Sequence, residues 1–597
     1  MRACTMWLVT VMMVASLSSV RSDTWWDSTV VYQIYPRSFK DSNGDGIGDL
    51  NGITSKLQYL KDTGVDAIWL SPIYKSPMID FGYDISDYRS IATEYGTMAD
   101  FNNLMATAKK LGIRVVLDFV PNHTSDKSYW FEQSVARNGS YADYYIWANG
   151  TTNANGTRIP PSNWLSVFRK SAWEYNSVRD QYYLHQFAIE QPDINYRSGA
   201  LQQEMKEVIR FWLDKGVSGF RVDAINFLYE VTDHNGIYPD EPLSGEAGYN
   251  SDDYEYLNHI YTKDLNETYD IVFDWRDVLD EYTTKHAESK IMMTEGYTTL
   301  ERMMQYYGNG VRSGSMPFNF IFLGEMTSTS TANDMKTVIA EWMDNMPSGK
   351  TANWVNGNHD NTRLATRFGE NRVDAMNMLA LLLPGVTITY QGEELGMTDG
   401  NVSWAETLDP QACNTNDPIN YWKKSRDPAR TPFHWDNTTS AGFSTNSTTW
   451  LPLASNYKDV NVAVEQAAPK SHYKFYKDVV SLKHTTPVSR GSLITTAISD
   501  YVFVVTRKLS EAAVVGIINL SNATQTVDLS TISGVPQTLK VSASGVSCSL
   551  EKGTQVNRNS VSMSGYCSLA LENSAYKITT ASLLVYSIAY LLYAYIN

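Results

Sequence analysis

Short apolar runs that end in polar or charged residues recur along most of the chain: Val30 to Tyr35, Ala67 to Leu70, Arg114 to Val120, Gly219 to Val222, Lys290 to Met293, Phe318 to Phe320, Asn353 to Val355 and Val386 to Tyr390. Runs of that length read as buried parallel strands, each delivering side chains to one rim. Between them lie stretches with apolar residues at helical spacing, notably Thr54 to Thr63, Met98 to Leu111, Leu201 to Lys215 and Val373 to Leu383. Eight strands alternating with helices predict an α/β fold, a (β/α)8 TIM barrel.

Spacing tests this, because a barrel of about 250 residues allots about 31 to each strand–helix unit. Asp360 follows Glu295 by 65 residues, two units, and Tyr390 follows Asp360 by 30, one unit. Asp223 follows Asp118 by 105 residues, so the third loop must hold an inserted domain, residues 122–195, rich in aromatics, Asn and Pro. The barrel then comprises residues 23–121 and 196–490. Two further rim loops are long: the fourth, dense in Gly, Pro and Asp from Asp233 to Asp253, and a last one from Gly392 to Lys470. Long loops on one rim build a deep pocket. Residues 491–573 change to short alternating strands, such as Tyr501 to Arg507 and Ala512 to Asn519, which predicts a C-terminal β-sandwich.

The termini carry targeting patterns. Arg2 and an uncharged apolar stretch to Val20, then small residues, read as a signal peptide over residues 1–22. Residues 574–597 combine small residues, a short spacer and an apolar tail, the arrangement of a glycosylphosphatidylinositol (GPI) anchor signal with Asn573 or Ser574 as attachment site. Several Asn-x-Ser/Thr sequons, among them Asn138, Asn266, Asn437 and Asn519, fit a glycoprotein at the cell surface. Cys548 and Cys567 suit a disulfide, which leaves Cys413 as an inert buried thiol. A net charge of −16 without Lys/Arg clusters argues against nucleic acid and for a neutral substrate. Sixteen Trp and 38 Tyr do not separate sugar platforms from packing.

Carboxylates at the C-terminal ends of barrel strands read as catalytic. Four qualify: Asp118 in Asp-Phe-Val-Pro-Asn-His, Asp223 in Gly-Phe-Arg-Val-Asp-Ala, Glu295 in Thr-Glu-Gly-Tyr and Asp360 in Asn-Gly-Asn-His-Asp. Each alone would be an ordinary loop acid; joint placement on strands three, four, five and seven raises them. Arg221, two residues before Asp223, shares its side of the strand and should keep it ionised. An early loop alternates Asp41, Asn43, Asp45 and Asp49, with the Ile47 carbonyl between the last two; this is half of a calcium-loop signature, because position twelve is Gly52 rather than Glu, and a Gly/Asp-rich turn accounts for it equally.

These blocks, in this order, resemble the α-amylase superfamily, glycoside hydrolase family 13, and Gln191-Pro192-Asp193-Ile194-Asn195 resembles the signature of its oligo-1,6-glucosidase and maltase branch. With both targeting signals the chain is similar to the anchored maltases of insect gut. The resemblance implies an exo-acting retaining α-glucosidase, with Asp223 as nucleophile, Glu295 as acid/base and Asp360 as the third acid. It implies sugar contacts from His123 and His359, and a pocket end closed by Asp80 and Tyr83 with Arg430 as their charged partner. It also implies structural Ca2+ at the Asp41–Asp49 loop. Ala224, beside the nucleophile, leaves α-1,4 against α-1,6 preference open. The anchored setting admits two further partners, a second copy in a homodimer and a bacterial toxin using the protein as receptor. A rival relative, the amino-acid transporter heavy chain, lacks the full acid set found here.

Overall fold

The computed structural model describes residues 24–232 and 238–573. The expected signal peptide and anchor signal lie outside the described residues.

The strands Val30–Ile34 (β1), Ala67–Leu70 (β2), Arg114–Phe119 (β3), Gly219–Val222 (β4), Ile291–Thr294 (β5), Met316–Pro317 (β6), Asn353–Val355 (β7) and Val386–Tyr390 (β8) form one parallel sheet. Its order is β6-β5-β4-β3-β2-β1-β8-β7, a barrel closed except at one seam. Across that seam Asn353 replaces the ladder: its Oδ1 accepts from Asn319 N at 2.8 Å and its Nδ2 donates to the Pro317 carbonyl at 2.6 Å. Close approach matters most between β4 and β5, where a Cβ on Gly219 would sit 1.9 Å from the Ile291 carbonyl oxygen.

The sixth strand corrects the expectation of Phe318 to Phe320. The strand is Met316–Pro317, and a helix begins at Phe320 with the Asn319 side chain capping it, accepting from Phe322 N at 3.1 Å. Alternating Phe318, Phe320 and Phe322 mimic a strand period, but they straddle this N-cap.

The outer layer includes Leu50–Thr63 (α1), Met98–Leu111 (α2), Gly199–Asp214 (α3), Glu267–His286 (α4), Ala332–Asn345 (α5), Val373–Leu382 (α6) and His472–Lys483 (α7). Their starts are written locally: Asp49 caps α1 by accepting from Gly52 N, and Thr97 with Asp100 makes a capping box on α2. Helix α6 is buried along its whole length because the β-domain covers its outer face: Asp374 Oδ2 accepts from Val546 N at 2.7 Å.

After β3 the chain leaves the barrel and builds a three-stranded antiparallel sheet from Trp147–Ala148, Trp173–Asn176 and Gln181–Leu184 around Trp164 and Trp173. The C-terminal domain is a six-stranded antiparallel sheet facing a two-stranded one over a core of Val, Leu and Ile. Cys548 and Cys567 are bonded there. Cys413 is exposed rather than buried, because it ends a short helix, Pro410–Cys413, on the rim loop after β8. Asn519 is buried with its amide on the Ala523 and Ser564 carbonyls, which removes it from the sequons open to a glycan.

Candidate active site

Strands β3, β4 and β5 are paired so that Arg221 lies beside Asp118 and Met293. Asp223 and Glu295 follow one residue past the ends of β4 and β5. The register puts three acids within reach of one guanidinium. Arg221 Nη1 donates to Asp118 Oδ1 at 2.8 Å and to Asp223 Oδ1 at 2.5 Å, while Nη2 donates to Glu295 Oε2. The Asp223 and Glu295 carboxyls thus stand side by side, each shifting the other's protonation.

The acids sit in one buried cluster yet differ in protonation. Burial pushes Glu295 up to about 8; Arg221 opposes this, and the negative charges of Asp223 and Asp360 add to it. Burial also raises Asp223, to about 6, with Arg221 pulling it down and Asp118 pushing it up. Asp360 goes the other way: burial would raise it, but the Arg430 and Arg426 guanidiniums hold it well below the usual carboxylate range. Near neutral pH burial and neighbouring charge therefore favour a protonated Glu295 beside an ionised Asp223.

Asp118 is positioned differently. It is fully buried, and its carboxylate takes Arg221, Trp69 Nε1 at 3.2 Å and the Tyr83 hydroxyl at 3.2 Å. It anchors the arginine from below and does not line the cavity.

His359 is held neutral by burial. Gln33 Nε2 lies 2.8 Å from Nδ1, which leaves the proton on Nε2, 2.7 Å from the Tyr83 hydroxyl. Tyr83 stacks flat on the His359 ring, 5.3 Å between centroids, and donates onward to Asp118. His123 is likewise neutral, pushed down by burial to about 3, with Nε2 against the Tyr83 carbonyl and Gln191.

Arg430 is not the direct partner of Asp80. Its fully buried side chain donates from Nε to the His359 carbonyl and from Nη2 to Asp360, both at 2.8 Å. The ion pair on Asp80 comes from Arg426, at 2.8 Å, which also holds Asp409 at 2.6 Å and reaches Asp360 at 3.4 Å. Both arginines flank one turn, Asp427–Arg430, and the motif marks that turn without saying which arginine faces the pocket.

Asp80, Tyr83, His123, Asp223, Glu295, His359, Asp360 and Arg426 line a single cavity of about 370 Å³. Walls that the sequence pattern does not mark include Phe168 and Phe187 from the insert, Asn226, Phe227, Tyr254 and Lys263 from the fourth loop, and Gln411 from the eighth. Apolar walls around a few polar groups, in a cavity of this size, describe a small-ligand site.

The Asp41–Asp49 loop lies away from this cavity. Asp41, Asn43 and Asp45 bend it through successive turns, each side chain accepting from a backbone N–H two residues on at 2.8–2.9 Å. Asp49 caps α1. The donors are hard oxygens of the kind calcium takes, although no group of three or more His, Cys, Asp or Glu side chains converges among the described residues.

Comparison with known proteins agrees with this geometry. A sequence profile described as "Alpha amylase, catalytic domain" matches residues 33–491. Maltase A1 of Drosophila melanogaster is 52% identical over 525 residues, spanning 87% of this chain and 91% of that protein. Salivary alpha-glucosidase of Anopheles gambiae is 48% identical over 538 residues, 89% and 90% of the two chains. The crystal structure of an alpha-glucosyl transfer enzyme superposes with a TM-score of 0.80 at 33% identity, covering 92% of this chain and 100% of that one. The chain belongs to the α-amylase family, glycoside hydrolase family 13, and is a glycoside hydrolase.

Proposed function

We propose that the protein is an exo-acting, retaining α-glucosidase that removes terminal non-reducing glucose from maltose, sucrose and short oligosaccharides. One observation carries this reading: the Asp223 and Glu295 carboxyls stand side by side on one guanidinium, Arg221 Nη1 donating to the first at 2.5 Å and Nη2 to the second. An inverting pair stands about 6.5–9.5 Å apart to admit a water between acid and base, whereas a retaining pair stands closer. The related maltases and α-glucosidases support glucose as the sugar.

In this reading an Asp223 oxygen attacks the anomeric carbon as the Glu295 proton passes to the glycosidic oxygen, and the C–O bond to the leaving sugar breaks. Glu295, now a carboxylate, takes a proton from water, which displaces Asp223 and restores the α configuration. Asp360, held ionised by its two arginines, accepts sugar hydroxyls. Neutral His359 and His123 can each donate or accept without adding charge to the sugar. Asp80 and Arg426 close the pocket, which supports cleavage at chain ends only.

The purified protein on maltose, isomaltose, sucrose and starch, with product anomers followed by NMR, tests this. Early release of α-glucose from short sugars and slow attack on starch are expected; release of β-glucose, or no turnover, overturns the reading. The profile of kcat/KM should be a bell, rising as Asp223 ionises near 6 and falling as Glu295 loses its proton near 8. Asp360→Asn removes one of the negative charges that raise Glu295, so the surviving activity should lose its alkaline limb at lower pH. An unmoved limb would assign that ionisation elsewhere.

We also propose structural Ca2+ at the early loop, on the oxygen chemistry of its donors: Asp41, Asn43, Asp45 and Asp49 side chains with the Ile47 carbonyl would close around it, apart from the reacting carboxyls. EGTA should then lower the melting temperature, and added Ca2+ restore it, because an ion bound only by the folded state stabilises by about 2.7 kcal/mol at a hundred times its Kd. An unchanged melting temperature removes calcium from this loop. The terminal patterns support a GPI-anchored protein at the cell surface, testable by release from cells with a phosphatidylinositol-specific phospholipase C.

A further inference from the structure

The cavity walls come from three separate long loops, and one side chain outside the cavity ties them together. Arg169, on a tight turn of the insert next to Phe168, reaches both other loops. Its Nε holds Asp253 Oδ1 of the fourth loop at 2.7 Å, and Nη1 donates to the Thr415 carbonyl of the eighth loop at 3.0 Å. Neighbouring bonds run the same way: Lys170 N donates to the Asp252 carbonyl at 2.8 Å, and Asn414 Nδ2 to the Phe168 carbonyl at 3.1 Å. The Arg169 and Asp253 side chains are only 18% and 13% exposed, so water and salt screen the pair weakly.

The backbone of this turn is unusual. Arg169 and Lys170 have φ of 77° and 67°, the left-handed region that residues with a Cβ seldom occupy. Two such residues in succession persist only where the surroundings over-determine them, and here four bonds to two other loops do so. What the turn presents to the cavity is Phe168, buried, with Phe187 edge-on at 5.7 Å and the Arg426 guanidinium 5.1 Å from its ring centroid. Arg426 is the group that pairs with Asp80 and Asp360.

We propose that Arg169 is a positioning residue that latches the three loops and holds Phe168 against Arg426, and so sets how tightly the glucosyl unit is bound. This rests on the α-glucosidase reading. Arg169 does not line the cavity itself; it acts through Phe168, at the end of the pocket that Asp80 and Arg426 close.

Two variants that break the latch and one that keeps its charge test it. Arg169→Gly removes the latch while glycine takes the left-handed backbone freely, and Asp253→Asn removes the partner's charge at constant size. Both should raise KM for maltose and the inhibition constant of glucose about tenfold, with kcat changed less than about threefold, the pattern of lost uniform binding. Arg169→Lys keeps the charge but cannot form both bonds, so it should fall between wild type and glycine. Amide hydrogen exchange should quicken together at residues 166–172, 252–255 and 414–416 in both variants. The latch is overturned if kinetic constants stay at wild-type values, if kcat/KM merely follows the melting temperature, or if exchange quickens only around position 169. Wild-type protein inactive on every glucoside would sink the α-glucosidase reading instead, and the exchange comparison would still decide whether the three loops are latched.

Discussion

Asp223→Asn is expected to lower kcat on maltose by about 10⁴-fold or more, the scale seen when a covalent nucleophile is removed, while the fold survives because Asn can still accept from Arg221. Glu295→Gln should behave differently, because acid assistance matters only when the leaving group is poor. On an aryl α-glucoside with an acidic phenol, the Gln variant should still transfer glucose to Asp223 and then stall, since no base remains to activate water. Azide, which needs no such activation, should release the stalled sugar as α-glucosyl azide after two displacements at the anomeric carbon. In Asp223→Gly, azide entering the vacated space would displace only once and give the β product. Stereochemistry thus assigns the two roles independently of rate. Activity of Asp223→Asn within tenfold of wild type would refute the nucleophile assignment, and equal responses of the two variants to azide would refute the division of labour.

How far this could be read from the sequence depends on which physical signal each part leaves. Barrel strands are short apolar runs, and their ends coincide with chemistry because parallel strands all point to one rim; Ala67–Leu70, Gly219–Val222 and Val386–Tyr390 fall where the pattern places them. The sixth strand slipped because aromatic alternation continues across the start of a helix, which the Asn319 cap marks and hydrophobicity does not. The acid cluster was legible through joint spacing, yet spacing could not separate Asp118, buried beneath Arg221, from the acids that open to the cavity. Nor could it choose Arg426 over Arg430, four residues apart on the same turn. Phe168, Phe187, Phe227 and Tyr254 escaped notice for a simpler reason. They stand on irregular loops with no period to say which side faces the site, in segments where many aromatics only pack against one another, as Trp164 does on Trp173.

Arg221→Met should be the most damaging single change outside the reacting pair. Among the described residues the guanidinium is the one cation bonded to Asp118, Asp223 and Glu295, all at or near full burial, and removing one partner of a buried ionic cluster costs about 3–5 kcal/mol because the other charges stay behind. The loss should depend on pH in a defined sense. Burial already raises Asp118 and Asp223 to about 6 and Glu295 to about 8, and Arg221 is the opposing influence on each, so its removal raises all three further. Acids with raised folded-state values bind more protons folded than unfolded. Their neutral forms are accommodated below the unfolded values near 4, and stability is lost as pH rises through the folded values. The melting temperature of Arg221→Met should therefore approach wild type at about pH 4–5 and fall progressively below it toward pH 8. Activity should fail by a separate route: with Asp223 protonated at neutral pH no nucleophile exists, and any residual kcat should rise with pH until the fold gives way. Equal destabilisation at pH 5 and pH 8 would mean that Arg221 serves packing against Trp69 and Tyr83, whose rings lie 5.1 and 5.9 Å from its guanidinium carbon, more than it serves charge.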